Sequence, residues 1–112
     1  MSTTITAEGA AARITDEVAS WAGVSAGTGR RGEFAFKLGG REIGHLHGDP
    51  AAHFFFPKPL WRELRAAGRI AAHPVFADRE GPASRLIADR DDEREVIELM
   101  RLNYDLLAAG PA

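Results

Sequence analysis

The run Glu33-Phe-Ala-Phe-Lys-Leu-Gly-Gly-Arg-Glu-Ile-Gly-His-Leu-His47 reads as two strands and the turn between them. Phe34, Phe36 and Leu38 alternate with Glu33, Ala35 and Lys37, the period of a half-buried strand. Gly39-Gly40 is a turn signal, because both central positions of a type I′ turn need positive φ. Arg41 to His47 is then the return strand. Such a turn pairs Leu38 with Arg41, Phe36 with Ile43 and Phe34 with His45. Same-face neighbours across an antiparallel pair lie roughly 5 Å apart at Cβ. On this register His45 and His47 share a face with Phe34, Phe36 and Ile43, the face expected to lie under helices. Leu46, Gly44 and Ala35 point the other way.

Working outward, Val24 to Ala26 is a short strand candidate and Ala52 to Pro57 a third long strand. Three consecutive aromatics cannot share a side, so Phe55 must point opposite to Phe54 and Phe56. Either both faces are covered, or one aromatic is left for a partner or ligand. Ser84 to Asp89 is the last strand candidate. The segment from Arg69 to Ala83 is a loop with a short extended piece. A first helix is expected over about Ala7 to Ser20, with Ile14, Val18 and Trp21 facing the core and Gly23 ending it. Pro59 to Gly68 is a short helix, with proline in its first position and Gly68 as its cap. From Asp91 to Gly110 the chain reads as a long helix. Asp92 and Glu95 form an acidic capping box, and Ile97, Met100, Tyr104 and Leu107 an apolar stripe. The expected fold is α+β: a two-layer sandwich of a mainly antiparallel sheet, four or five strands, with about three helices on one face. Residues 1–112 form one domain, with 1–6 as a flexible N-terminus.

Composition limits the function. The chain has 112 residues, 45% hydrophobic and 27% charged, as in an ordinary globular domain. Its 14 basic and 16 acidic residues give a net charge of -2, so a phosphate backbone is a poor partner. With no cysteine, disulfides, thiolate nucleophiles and cysteine-based metal sites are excluded. The N-terminus lacks the basic start and apolar core of a signal peptide, and no apolar run suits a bilayer. The expected setting is the cytoplasm. Arginine greatly outnumbers lysine and alanine is abundant, the usage of GC-rich bacterial genomes.

The chemistry concentrates in Gly40 to Asp49. On a strand, His45 and His47 put both imidazoles on one face, about 6.5–7 Å apart along the chain. Two such rings can meet on one metal ion, and Asp49 continues the parity as a third ligand; His53 and His73 are also available. Gly39, His45 and His47 are spaced like the front half of a cupin metal motif, but Ala51 and Ala52 stand where a cupin carries glutamate. A second reading makes His45 a core histidine beside Phe34, bonded to a backbone carbonyl, with His47 at the wet strand end. In a third, His45, His47 and His73 line a pocket, with Arg41 and Asp49 at its rim, and bind a small polar or anionic molecule. Arg30 and Arg31 are a further anion-holding pair, more often simply solvated. Gly27 to Gly32 spells GxGxxG but leads into a strand, so the phosphate argument for a helix N-terminus fails. His73 precedes Pro74, which biases it to an extended backbone.

Three runs together carry a family resemblance: Arg30 to Asp49, Phe55 to Phe76, and Val96 to Asp105. They resemble a small bacterial and fungal family of luciferase-domain proteins, over roughly Trp21 to Tyr104. The most specific part is Arg41 to His47, followed by the Phe-Pro before the middle helix, the loop at His73 and Tyr104. The family often has Ser-Gly-Trp before the last strand, and this chain instead reads Arg79-Glu-Gly-Pro-Ala-Ser84. The resemblance implies no catalytic residues. It implies light emission by name alone, with no flavin-phosphate motif to go with it. The leading expectation is therefore a small-molecule-binding domain with a His-lined pocket, its cofactor unspecified. A protein-interaction or dimerisation module using the His53 to Phe56 strand is one alternative, which leaves monomer and homodimer both open. A metal-dependent enzyme at His45, His47 and Asp49 is the other.

Overall fold

The computed structural model describes residues 8–110; the expectation of a flexible 1–6 lies outside them. The elements are α1 (Ala10–Val18), β1 (Val24–Thr28), β2 (Phe34–Leu38), β3 (Arg41–His47), β4 (Ala51–Phe55), α2 (Lys58–Ala66), β5 (Ala71–Ala72), β6 (Pro82–Leu86) and α3 (Arg90–Ala109). All strand pairs are antiparallel, in the order β1-β2-β3-β4-β6-β5. The first four strands form a meander. After α2 the chain places β5 at the far edge and returns along β6 between β5 and β4. The fold is α+β, with one open six-stranded sheet, one strand more than the upper expectation. The extra strand is the two-residue β5, within the loop where a short extended piece was expected.

The helices cover one face of the sheet. Ile14 and Val18 of α1, Leu64 of α2, and Val96, Leu99 and Met100 of α3 meet Phe36, Ile43, Leu46 and Phe54 from the sheet. Buried Glu93 of α3 accepts a two-pronged bond from Arg13 of α1 (Nη2 to Oε1 2.7 Å, Nε to Oε2 3.0 Å), which ties the helices together. Phe54 and Phe56 are buried and Phe55 is 61% exposed, so the triple aromatic alternates as expected. Helix boundaries differ from the sequence reading at their polar ends. α1 is shorter than Ala7 to Ser20, and Gly23 sits at the entry to β1 instead of ending the helix. α2 begins one residue earlier, with Pro59 second. α3 is capped by Asp89, whose side chain accepts from the Asp92 N–H at 2.9 Å, while the Asp92 carboxylate accepts from Ala88 N–H at 2.9 Å. The box is therefore Asp89 with Asp92, not Asp92 with Glu95, because the chain turns into the helix directly after Ala88.

The register of the opening hairpin holds for two pairs and then shifts. Leu38 faces Arg41 and Lys37 faces Glu42, but Phe36 faces Gly44, Ala35 faces His45 and Phe34 faces Leu46. Ile43 is the extra residue of a β-bulge, and one extra residue exchanges the faces of everything after it. Ile43 and Leu46 are thereby both buried under the helices, on one face, which a regular strand cannot do for two residues three apart. The Ile43 carbonyl, displaced from the ladder, accepts from Asn103 Nδ2 of α3 at 3.0 Å; the same nitrogen reaches Phe55 O at 3.2 Å. Gly44 lies directly under α3. A Cβ there would sit 2.8 Å from Met100 Sδ and 3.1 Å from Phe54 Cδ1, so the helix rests on bare backbone.

Candidate metal centre

The bulge turns His45 and His47 away from the core. They stand on the open face of the sheet, not on the Phe34-Phe36 face the unbulged register assigned them, and His45 is not a core histidine. The next hairpin then adds a third ring. Residues 48–50 close β3 onto β4 so that His47 faces Ala51 and His45 faces His53. Cross-strand neighbours project to the same side. The ring centroids of His45 and His47 are 5.0 Å apart, those of His45 and His53 5.3 Å, and those of His47 and His53 4.3 Å. His73, from the segment after β5, brings its ring to 4.2 Å from His53. All four imidazoles of the chain therefore share one patch.

One nitrogen from each of His45, His47 and His53 lies within 4.8 Å of the other two. Three nitrogens bound to one ion at 2.0–2.1 Å stand about 3–3.5 Å apart, so the set has to draw together to hold one. His45 Nδ1 is 2.7 Å from Glu42 Oε2. An ionised carboxylate only accepts, so Nδ1 donates in this contact and Nε2 is the nitrogen left to face a metal. This is the arrangement that orients a metal-ligating imidazole. The Nδ1 of His53 is enclosed and has no hydrogen-bond partner among the described residues, an unfavourable state for a buried polar atom. Burial, then the neighbouring His73, His47 and His45, push the His53 pKa down to about 4, so the ring is neutral at physiological pH, as a metal ligand must be. His73 is shifted down too, first by burial and then by His45 and His47.

A cavity of about 390 Å³ opens over these rings, with Arg31, Phe55, Val75 and Phe76 in its walls. Glu33, at its edge, is held below the usual carboxylate range by its own backbone N–H and by that of Arg31. Of the residues singled out in the sequence, His45, His47 and His73 meet here. Arg41 and Asp49 do not. Arg41 lines an adjoining cleft with Asn103 and Leu106, which shares Glu42 and Phe55 with the histidine cavity. The Asp49 carboxylate accepts from Ala11 N–H at 2.9 Å and Gly9 N–H at 3.1 Å, holding the start of α1. Those two bonds, Ala11's first, lower its pKa. Among candidate metal ligands, Asp49 thus gives way to His53, so the candidate set is His45, His47 and His53, with Glu42 behind His45. His53 was legible in the three-residue turn spacing; Glu42 had no signal of its own, since its contact depends on the bulge.

A luciferase-domain family model matches residues 40–103, more than half of the chain. The chain belongs to the luciferase-domain family. The matched part of this luciferase domain runs from the β2–β3 turn into α3 and contains all four histidines and Glu42. No match is found among curated proteins or among solved structures. Among the described residues of the luciferase domain, no helix is long and apolar enough to cross a membrane.

Proposed function

We propose that this domain holds one divalent transition metal ion on His45, His47 and His53 and uses it to bind a small polar or anionic molecule in the cavity above. The observation that carries this reading is the convergence of three imidazole nitrogens within 4.8 Å, one of them on a ring backed by Glu42. Imidazole donors suit zinc, iron, copper or nickel. Three protein ligands leave coordination positions open towards the cavity, where a metal polarises the oxygen it binds or lowers the pKa of a bound water. The domain is then a metal-dependent binding site with the means for metal-assisted acid–base chemistry. The cavity is built from one chain, so the reading requires no second copy. A cytoplasmic, bacterial setting goes with the proposal, as the composition leads one to expect.

The test is a titration of tag-free, chelator-stripped protein with Co²⁺, followed by calorimetry and by the visible absorption of the bound ion. One site per chain is expected, abolished in His53→Ala and weakened at least about tenfold in His47→Ala. Absence of saturable binding, or binding that survives loss of all three histidines, overturns it.

A further inference from the structure

We infer that the molecule taken by this site is amphipathic: a small carboxylate-type anion whose head meets the metal and whose apolar body lies along Phe55, Val75 and Phe76, with His73 donating a hydrogen bond to the head. This rests on the metal-centred reading above and specifies its ligand.

The apolar part comes from where the chain leaves large hydrophobic side chains in water. Phe55 is 61% exposed, Val75 75% and Phe76 40%, and all three line the one cavity that holds the histidines. A contiguous exposed apolar wall beside polar groups is what an amphipathic ligand covers. The wall is positioned by the fold. Phe55 is forced outward by the strand alternation that buries Phe54 and Phe56. Phe76 packs its ring 5.3 Å from that of His73. At about 390 Å³ the space suits one ring or a short chain, not a macromolecule.

The anionic head follows from charge. Imidazole ligands bring no negative charge to a divalent ion, and Arg31 lines the same cavity. Glu42 and Glu33 line the cavity too, bonded to His45 Nδ1 and to Arg31 N–H, and the divalent ion together with Arg31 outweighs their two negative charges. His73 differs from the other three rings. Its Nδ1 accepts from Val75 N–H at 3.1 Å, so the neutral ring carries its proton on Nε2. It is therefore a hydrogen-bond donor beside the triad and not a fourth metal ligand.

The experiment compares acetate with phenylacetate on the Co²⁺-loaded chain, read by the change in Co²⁺ absorption. Phenylacetate is expected to act at about tenfold lower concentration than acetate, from the apolar area its ring covers. Phe55→Ser, at an exposed position, should remove most of that advantage while leaving Co²⁺ affinity unchanged. His73→Phe should weaken both acids alike. If Co²⁺ does not bind, the metal reading falls and this inference with it. If Co²⁺ binds and the two acids act equally, or the advantage survives Phe55→Ser, this inference alone falls. A chain mass that doubles and returns to monomer in Phe55→Ser also overturns it, because a second copy then covers the wall.

Discussion

His45 and His53 face each other across β3 and β4 with ring centroids 5.3 Å apart, and neither side chain contributes to the core. The pair exists because of two successive register decisions. The bulge at Ile43 sends His45 to the open face, and the short turn after His47 places His53 opposite it. His47, two residues on, completes a triangle on a rigid sheet instead of on loops, which keeps the three rings within reach of one another.

Loss of the imidazoles should therefore separate stability from binding. His47 is exposed and His45 half-buried on the open face. Replacing either by Ala should change unfolding free energy by less than about 1 kcal/mol in metal-free protein. Co²⁺ affinity should fall at least about tenfold in both. Urea denaturation alongside calorimetry checks the pair of values, and a stability loss above about 2 kcal/mol in His47→Ala would count against an open-face site.

Glu42 acts on the metal only through His45. Glu42→Gln keeps the shape of the side chain, but its amide is a weaker partner for Nδ1–H. Co²⁺ affinity should drop by about 10- to 100-fold with thermal stability nearly unchanged. An affinity equal to that of the parent chain would show that the 2.7 Å contact does not orient the ligand.

Much of this was readable in the residues, and the failures have identifiable physical causes. The Gly39-Gly40 turn, the alternation of Phe34 with Phe36, the outward Phe55 and the stripe through Met100 and Tyr104 are local patterns, and local chemistry decides them. The faces of β3 were misread because a strict period of two was applied past Gly44. The warning was present: Ile43 and Leu46 are both apolar and an odd number apart, which on a sheet covered on one face calls for a bulge. His53 was equally accessible, since three residues between His47 and Ala51 fix the next register. Asn103 was not. Its role depends on a contact 60 residues away in sequence, and no local pattern marks a polar residue in the middle of a helix as the partner of a displaced carbonyl.

Acid should loosen the metal-free protein over a definite range. The unfolded chain protonates His53 near 6.5, whereas in the folded chain the ring holds out to about 4. Between those values the unfolded state binds more protons, so falling pH favours unfolding. The contribution is intact above pH 6.5 and fully lost below about 4. Thermal melts from pH 7.5 to 4.5 should show Tm declining with pH, with a shallower decline in His53→Asn. Parallel curves for the two proteins would remove His53 as the cause.

Asp49 separates a structural carboxylate from a metal ligand. Its two backbone bonds anchor the start of α1, where Gly9 has no capping side chain of its own. Asp49→Ala should cost about 1 kcal/mol, in the range of a lost helix cap, and leave Co²⁺ affinity unaltered. A large drop in affinity at unchanged stability would restore the carboxylate to the ligand set.

Asn103 carries the last prediction, because it joins the core to the site. It is 4% exposed, and its amide nitrogen serves the carbonyl of the bulged residue within β3 and that of Phe55 at the end of β4, the two strands that carry the histidines. Asn103→Leu matches the volume but leaves both carbonyls without this donor. A buried acceptor left unpaired costs about 1–3 kcal/mol, so a loss of that size is expected in urea. Without the donor, the regular register that pairs Phe36 with Ile43 gains ground, and that register would point His45 and His47 into the core. Co²⁺ affinity should therefore fall in Asn103→Leu although no ligand has been touched, and it should fall further than in Asp49→Ala, which is destabilised by a comparable amount away from the bulge. Equal affinities in those two variants would mean that the bulge holds its register without Asn103.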